Sequence, residues 1–281
     1  MSARLLTGKE PAELLLEELR PLVATLNPKL AIVQIGDDPS SETYIKRKLK
    51  SCASIGMRAA HRRLPSQTTV EEAEHLLLSL NADEDVSGIL LQLPLPNHLW
   101  EERHRLLSLI DPKKDVDGLS ARNLGHLFAS ASPTSLMPAT PSGILLLLAH
   151  YDIGVQGQRA VVVGRSNVVG KPLALLLLQQ DATVTVCHSR TKDLSAATKE
   201  ADLLVSAVGK AGIITADMVK PGAVVIDVGI TRTDEGLIGD VDAPAVSEVA
   251  SALSPVPGGV GPLTVACLLR NCVLAKQLQT Q

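Results

Sequence analysis

Aromatic side chains are almost missing from this chain. Its 281 residues include one Trp, one Phe and two Tyr, at positions 100, 128, 44 and 151. The core must therefore be aliphatic. A charge excess of one sign is missing too. The net charge is −3, both signs are interspersed, and no basic block appears. That removes the electrostatic footprint of a nucleic-acid binder and of a protein held on an anionic membrane. Long apolar runs are also missing: GILLLLA falls far short of the roughly 20 residues a membrane helix needs. The N-terminal stretch MSARLLTGKEPAELLLEEL has acids within its apolar residues and is not a signal peptide. Cys52, Cys187, Cys267 and Cys272 show no CxxC spacing, and the seven histidines form neither HExxH nor a Cys/His cluster. These absences predict a soluble, reduced protein of the cytoplasm, without metal.

What is present is aliphatic mass and alternation. Apolar residues make up 45% of a chain long enough for two modest domains or one large one. Residues 9–25 read as a helix, KLAIVQIG as a strand, and SSETYIKRKLKSCASIG as a helix with Ser40 or Ser41 as N-cap. MRAAHRRL reads as a strand, VEEAEHLLLSL as a helix, and SGILLQL as a strand stopped by Pro94 and Pro96. A helix over 140–152 leads to a second alternating set from residue 159 to residue 228, and a last helix covers 263–279. Such alternation predicts an α/β protein whose sheets are mainly parallel and flanked by helices.

VVVGRSNVVGKPLALLLL runs from a strand through a glycine loop into a helix. A triphosphate loop of the Walker type needs four residues between its first glycine and GK, then Ser or Thr to hold magnesium. Here five separate Gly164 from Gly170, and Pro172 follows Lys171. The dinucleotide reading needs a strand, a tight turn and a helix start, and those are present. The next strand then selects the dinucleotide. A carboxylate at its end would bind a ribose 2′-hydroxyl, but CHSRT ends the strand without an acid. Ser189 and Arg190 suit a 2′-phosphate, and Arg165 adds a second positive charge. NADP is the expected cofactor.

Other signals are weaker singly. Tyr44 and Lys48 are four apart and share a helix face. Gln92 is a polar residue in an otherwise apolar strand and needs a partner. Asp115 and Asp117 precede a glycine, the usual mark of a turn. PGGVGP reads as a hinge, a turn, or a place where a ligand approaches backbone closely.

Together and in this order these stretches are specific. QLPLP, KDVDG, GRSNVVGKP and PVPGGVGP occur with IGDDPSSETYIKRKLKSC, MPATPSG, DVGI and GDVD between residues 35 and 264. The chain resembles the bifunctional methylenetetrahydrofolate dehydrogenase/methenyltetrahydrofolate cyclohydrolase family. The resemblance implies a folate-binding catalytic domain over 1–138, completed by the C-terminal helix 262–281. It implies an NADP-binding, Rossmann-like domain over 139–261, a cleft between the two, and a homodimer joined through the Rossmann domains. By position, Lys48 matches the catalytic lysine, Gln92 the residue that tunes it, and Tyr44 the tyrosine that stacks on folate. Ser41, Asp117, Pro257 and Gly258 fall on the substrate side, Asp117 as the pterin anchor. Thr140, Gly164, Arg165, Ser166, Ser189, Arg190, Ile230, Gly261 and Thr264 fall where NADP is contacted. The departures from the family pattern are Ala139, Ala211 and Leu263, none of them a reacting group.

The implied partners are one-carbon derivatives of tetrahydrofolate. Hydride removal needs mainly positioning. Ring opening by water needs a proton carrier, and a free lysine, with a pKa of about 10.4, is a poor one at neutral pH. Burial would bring Lys48 into range. A shikimate-type dehydrogenase would share the two-domain plan but leaves QLPLP and PVPGGVGP unexplained. A dinucleotide-sensing module without chemistry would have no need of Tyr44, Lys48 and Gln92.

Overall fold

The computed structural model describes residues 2–130, 136–234 and 236–280. The chain begins with β1 (Arg4–Leu5), α1 (Lys9–Leu26), β2 (Lys29–Ile35), α2 (Pro39–Ser54), β3 (Arg58–Leu64), α3 (Val70–Ala82) and β4 (Gly88–Leu91). Three helices follow: α4 (Arg103–Leu109), α5 (Ala121–Ala129) and α6 (Ala139–His150). The second alternating set is β5 (Arg159–Val163), α7 (Gly170–Gln179), β6 (Thr183–Cys187), α8 (Leu194–Thr198), β7 (Leu203–Ser206) and β8 (Val224–Asp227). The chain closes with β9 (Thr231–Thr233), β10 (Gly236–Ile238), α9 (Ala243–Val246), β11 (Ala252–Leu253) and α10 (Val260–Gln279). No described helix is long and apolar enough to cross a membrane.

Two compact units result. Unit one comprises residues 1–12 and 140–264; unit two comprises residues 13–139 and 265–281.

Unit one is built on a six-stranded sheet in the order β1-β11-β8-β7-β5-β6, every neighbouring pair parallel. Its strands are short, and the central β5, β7 and β8 are nearly all apolar and buried, as parallel strands covered on both faces must be, whereas edge strands β1 and β6 are largely exposed. Val161, Val163, Leu204, Val225 and Leu253 are among the side chains of its aliphatic core. The chain runs from β5 to β6 on one side, then returns past β5 to β7 on the other. That reversal opens a crevice at the carboxyl ends of β5 and β7, the usual ligand position in open parallel sheets. The hairpin β9–β10 stands apart as an antiparallel pair.

Unit two carries a three-stranded parallel sheet in the order β3-β2-β4. Central β2 is buried over all but its first residue, whereas β3 is largely exposed. Leu30, Ile32, Ile45, Leu77, Ile89 and Leu91 are fully buried. A further parallel bridge joins Ile89 to Asp115, with Ile89 N–H donating to the Lys114 carbonyl at 2.7 Å. Asp115 therefore meets β4 at a single bridge, and a turn closed by Gly118 N–H to the Asp115 carbonyl follows. Buried Lys114 is spent on structure: its ammonium donates to the carbonyls of Leu80, Asn81 and Asp83 and closes the end of α3. The start of α3 has a reciprocal cap between Thr69 and Glu72.

One local expectation is corrected. The N-cap of α2 is Asp38, whose carboxylate accepts the Ser41 N–H at 2.7 Å, with Pro39 at the first helical position. Ser40 and Ser41 lie inside the helix. Proline lacks the N–H that a first helical residue leaves unused, so it sets the helix start one residue before Ser40.

Candidate functional site

The residues singled out above fall into two sets, one in each unit. In unit two, α2 turns Ser41, Ile45, Lys48 and Cys52 to its buried face. The spacing of four, three and four residues is one stripe of a helix. Tyr44, one turn before Lys48, is half-buried with Arg47 over its ring at 5.9 Å. Burial raises its hydroxyl pKa, with Arg47 pulling the other way. Gln92 follows the last residue of β4, and its N–H continues the ladder to Val33. Its side-chain oxygen accepts from Lys48 Nζ at 2.8 Å, and its side-chain nitrogen donates to the Leu93 carbonyl at 2.6 Å. Both ends of the amide are thus committed, which fixes the oxygen toward the lysine.

Asp117 completes this set. Asp117 stands in the turn that follows the Ile89–Asp115 bridge, and its carboxyl interacts electrostatically with Lys48. Burial lowers the Lys48 pKa, and the Asp117 charge opposes that shift. Burial likewise raises the Asp117 carboxyl, against the pull of Lys48. Beneath them the Cys52 thiol is pushed up to about 12 by burial, so it behaves as an apolar neighbour rather than a nucleophile. A lysine held this way, on a neutral amide and out of water, gives up its proton more readily than a free one.

In unit one, the loop after β5 holds Gly164, Arg165 and Ser166. Gly164 has φ +129, and a Cβ there would stand 2.5 Å from the Ala207 carbonyl oxygen. Only glycine lets the ends of β5 and β7 come so close. Gly170 at the start of α7 is equally confined, its Cβ position 2.1 Å from the Gly164 oxygen. Ser166 Oγ accepts from the N–H groups of Val169 and Gly170, and its carbonyl accepts from Lys171. The first turn of α7 is therefore partly served by Ser166 itself. Among the described residues the N–H groups of Arg165, Ser166, Asn167 and Val168 make no hydrogen bond and are the donors left for an anion.

The β5–β6 register sets Val163 beside Cys187, and Gly164 N–H donates to the Cys187 carbonyl at 2.9 Å. The turn His188–Thr191 thus begins beside the glycine loop. His188 N–H donates to Thr191 Oγ1, and Arg190 N–H to His188 Nδ1. Arg165, Ser189 and Arg190 are all exposed at this sheet end. A glycine-lined turn, free N–H groups and two guanidinium-bearing residues fit a phosphorylated dinucleotide.

Thr140 and Thr264 are joined by a hydroxyl–hydroxyl bond of 3.2 Å across 124 positions of chain. Ile230 is exposed just beyond β8, and Gly261 is exposed in the first turn of α10. Pro257 and Gly258 belong to unit one, whereas Ser41, Tyr44 and Asp117 belong to unit two. Gly258 has φ +108, and its carbonyl accepts from Gly8 N–H at 2.8 Å.

Two family models match the chain. The catalytic-domain model described as tetrahydrofolate dehydrogenase/cyclohydrolase matches residues 6–117, and the NAD(P)-binding-domain model of the same description matches residues 138–280. The chain belongs to the tetrahydrofolate dehydrogenase/cyclohydrolase family. It is 51% identical to the bifunctional protein FolD of Oleidesulfovibrio alaskensis over 96% of both chains. Among solved structures, the bifunctional FolD enzyme of Campylobacter jejuni superposes with a TM-score of 0.94 at 41% identity, covering 99% of each chain. The FolD of Trypanosoma brucei, solved with NADP and an inhibitor, superposes with a TM-score of 0.94 at 36% identity over 100% of this chain and 99% of that one. In a member of this family, the α/β plan with a Rossmann-like dinucleotide half is the expected one, and it is observed.

Two residues with a structural claim on the site drew no role from sequence. Asp227 ends β8 and Asp240 follows β10; the two residues are 4% and 0% exposed. The available signal was an acid closing the apolar run AVVID, a place where a carboxylate must find donors.

Proposed function

We propose that this protein oxidises 5,10-methylenetetrahydrofolate to 5,10-methenyltetrahydrofolate with NADP and then hydrolyses the product to 10-formyltetrahydrofolate. Unit two is read as the folate half and unit one as the dinucleotide half. The observation that carries the hydrolytic part is the buried Lys48–Gln92 hydrogen bond of 2.8 Å, with the lysine pKa lowered by burial.

NADP, when bound, accepts the hydride removed from the one-carbon bridge. Gly164, Arg165 and Ser166 would hold its pyrophosphate, with Ser189 and Arg190 on the 2′-phosphate; Thr140, Ile230, Gly261 and Thr264 are read as further contacts. The absence of an acid at the end of β6 favours NADP over NAD, since a carboxylate there would repel the 2′-phosphate. In unit two, the ring face of Tyr44 would stack on the folate while Asp117 accepts from the pterin and Ser41 lines the same pocket; Pro257 and Gly258 are assigned to the substrate as well.

The proton path follows from the Lys48 environment. A neutral amine at Nζ takes a proton from the water that adds to the methenyl carbon. The resulting ammonium returns it to the ring nitrogen as the carbon–nitrogen bond breaks, and the remaining hydroxyl proton leaves to solvent as the formyl carbonyl forms. Gln92 holds the amine in place without the negative charge that would trap it as ammonium. Hydride removal itself calls for positioning rather than a strong base.

We read the working form as a homodimer made through unit one. β6 is an edge strand of the six-stranded sheet, and Val186 on it and Leu178 on α7 are exposed. An open edge with apolar side chains is the kind of surface a second copy covers. The cytoplasm is the expected compartment, in keeping with four free cysteines, all buried.

The test is an absorbance assay on purified protein. Methylenetetrahydrofolate is supplied with NADP⁺ or NAD⁺ in parallel, and methenyltetrahydrofolate separately. Reduction of NADP⁺ together with protein-dependent loss of the methenyl compound is expected. Folded protein that does neither sinks the reading. Light scattering of the purified protein tests the dimer, and a monomer at micromolar concentration refutes it.

A further inference from the structure

The crevice at the end of β5 has two flanks. The β6 flank carries Ser189 and Arg190, which suit the phosphorylated adenosine half of a dinucleotide. With the pyrophosphate on the Gly164 loop, the other half has the ends of β7 and β8 to lie over. The residues that shape those ends are Asp227 and Asp240.

Asp240 Oδ2 accepts from Ser206 Oγ at 2.9 Å and from Val208 N–H at 2.8 Å; its Oδ1 accepts from Lys210 N–H at 2.8 Å. Asp227 Oδ1 accepts from the N–H groups of Gly229 and Asp240, both at 3.0 Å, and its Oδ2 from Val241 N–H at 2.9 Å. No ion pair to either carboxylate is recorded among the described residues. Three backbone segments are thereby tied together: 206–210 after β7, 227–230 after β8, and 239–241 after β10. The fit leaves no slack. A Cβ on Gly229 would stand 1.9 Å from Asp240 Oδ1, and one on Gly239 would stand 1.9 Å from Asp227 Oδ2. Each glycine gives way to the carboxylate of the other strap.

Two buried anions with backbone donors and no cation are a costly way to hold a turn. What the arrangement yields is a fixed course for Val208–Lys210 and Gly229–Ile230, with Val208 and Ile230 left exposed at the sheet end. We propose that Asp227 and Asp240 are positioning residues for dehydrogenation: they fix the platform that receives the nicotinamide half of the dinucleotide. The proposal rests on the dinucleotide reading of unit one and adds to it the residues that set this half of the site.

Asp240→Asn is the primary variant. An amide can keep its oxygen toward Ser206 and Val208, but its NH₂ then faces the Lys210 N–H, donor against donor. The 208–210 strap is released with the side-chain volume unchanged. The purified full chain is titrated calorimetrically with NADP⁺ and, separately, with 2′,5′-ADP, which lacks the nicotinamide half. NADP⁺ affinity is expected to fall about tenfold, the size of one lost charge-assisted hydrogen bond, while 2′,5′-ADP binds within about twofold of the parent. The KM for NADP⁺ should rise more than kcat falls, and hydrolysis of methenyltetrahydrofolate reports whether unit two is intact. A merely structural loss would weaken both ligands together, and that outcome overturns the proposal, as does unchanged NADP⁺ affinity. Parent protein that binds neither ligand overturns the dinucleotide reading as well and is seen before any variant is made. Should Asp240→Asn fail to fold, Ser206→Ala takes one donor from the same carboxylate. The same split, of about two- to fivefold, is expected; no split refutes the positioning role.

Discussion

Each unit buries charge, and the two do so in opposite ways. Unit two buries Lys48 on a single neutral acceptor, Gln92 Oε1, with the Asp117 carboxyl as its charged neighbour, while its other buried lysine, Lys114, is spent on three backbone carbonyls. Unit one buries two carboxylates, Asp227 and Asp240, and gives each three hydrogen-bond donors. A buried charge with one neutral partner is easily discharged, because little is lost when its proton leaves. A carboxylate with three donors resists discharge, because protonation turns an acceptor into a donor facing other donors. Burial nevertheless pushes Asp227 up to about 6, with the nearby Asp240 charge adding to the push, so it is mainly ionised at pH 7. The first arrangement suits proton transfer; the second suits holding backbone still.

The strongest way to break the comparison is Lys48→Met. The substitution keeps an unbranched chain of similar length and removes the nitrogen. Loss of a proton carrier should cost about 10³-fold in methenyl hydrolysis. Dehydrogenation should fall much less, since it asks positioning rather than proton transfer of this region. Near-normal hydrolysis in the variant would end the role assigned to Lys48.

Gln92→Glu keeps the geometry and changes the sign of the partner. A carboxylate at that distance favours the ammonium, so the Lys48 pKa rises instead of lying below the ordinary lysine value. The neutral amine then appears only at higher pH. Hydrolysis at pH 7 should fall by about one to two orders of magnitude, and the rising limb of its pH–rate profile should move up by about one pH unit or more. A profile that does not move would show that Gln92 does not tune this amine.

Alternation of apolar strands and helices was enough to predict the plan, because parallel sheets demand nearly continuous apolar runs. The helix bearing Tyr44 and Lys48 was readable from spacing, and the glycine loop from the strand that enters it. The Lys48–Gln92 pairing was legible only through the family resemblance, since 44 positions separate its partners and nothing local links them. β1 was not legible either: two residues long, it owes its existence to pairing with β11 at the far end of unit one. The start of α2 was misplaced because Asp38, Ser40 and Ser41 all make competent caps, and Pro39 decides among them. The Asp227–Asp240 straps escaped for the opposite reason. Their motifs were visible, but five of the six donors are backbone N–H groups, which every sequence offers everywhere, and the sixth is the Ser206 hydroxyl.

Arg190→Asp tests how the dinucleotide end of unit one reads its ligand. It sets a carboxylate beside Ser189 at the exposed end of β6, where the intact chain has none. The new charge repels a 2′-phosphate and can bind a 2′-hydroxyl. The Kd for NADP⁺ should rise about tenfold or more, with that for NAD⁺ unchanged or lower. Equal losses for both would remove Arg190 from the 2′-phosphate site. They would leave the comparison resting on Lys48 and the two buried carboxylates alone.

The smallest effect belongs to a charge that neither reacts nor sits deep. Asp38 caps α2, and its hydrogen bonds from Ser40 and then Ser41 hold its carboxyl below the usual value. Asp38→Ala should lower the stability of unit two by about 1 kcal/mol, the ordinary worth of such a cap. A carboxyl with a depressed folded pKa contributes stability that is fully present above the unfolded value of about 3.9 and is lost as pH falls through the folded one. Urea unfolding of parent and variant should therefore differ at pH 7, and the difference should shrink as pH falls below about 3.9. A gap that does not shrink in acid would mean that the substitution disturbs α2 by something other than the lost anionic cap. If methenyl hydrolysis also falls at pH 7, the first turn of α2 does more than support Lys48 further along the helix. In that case the proton-transfer set extends to the Ser41 end of the helix, and Lys48 is held by more than its one neutral acceptor.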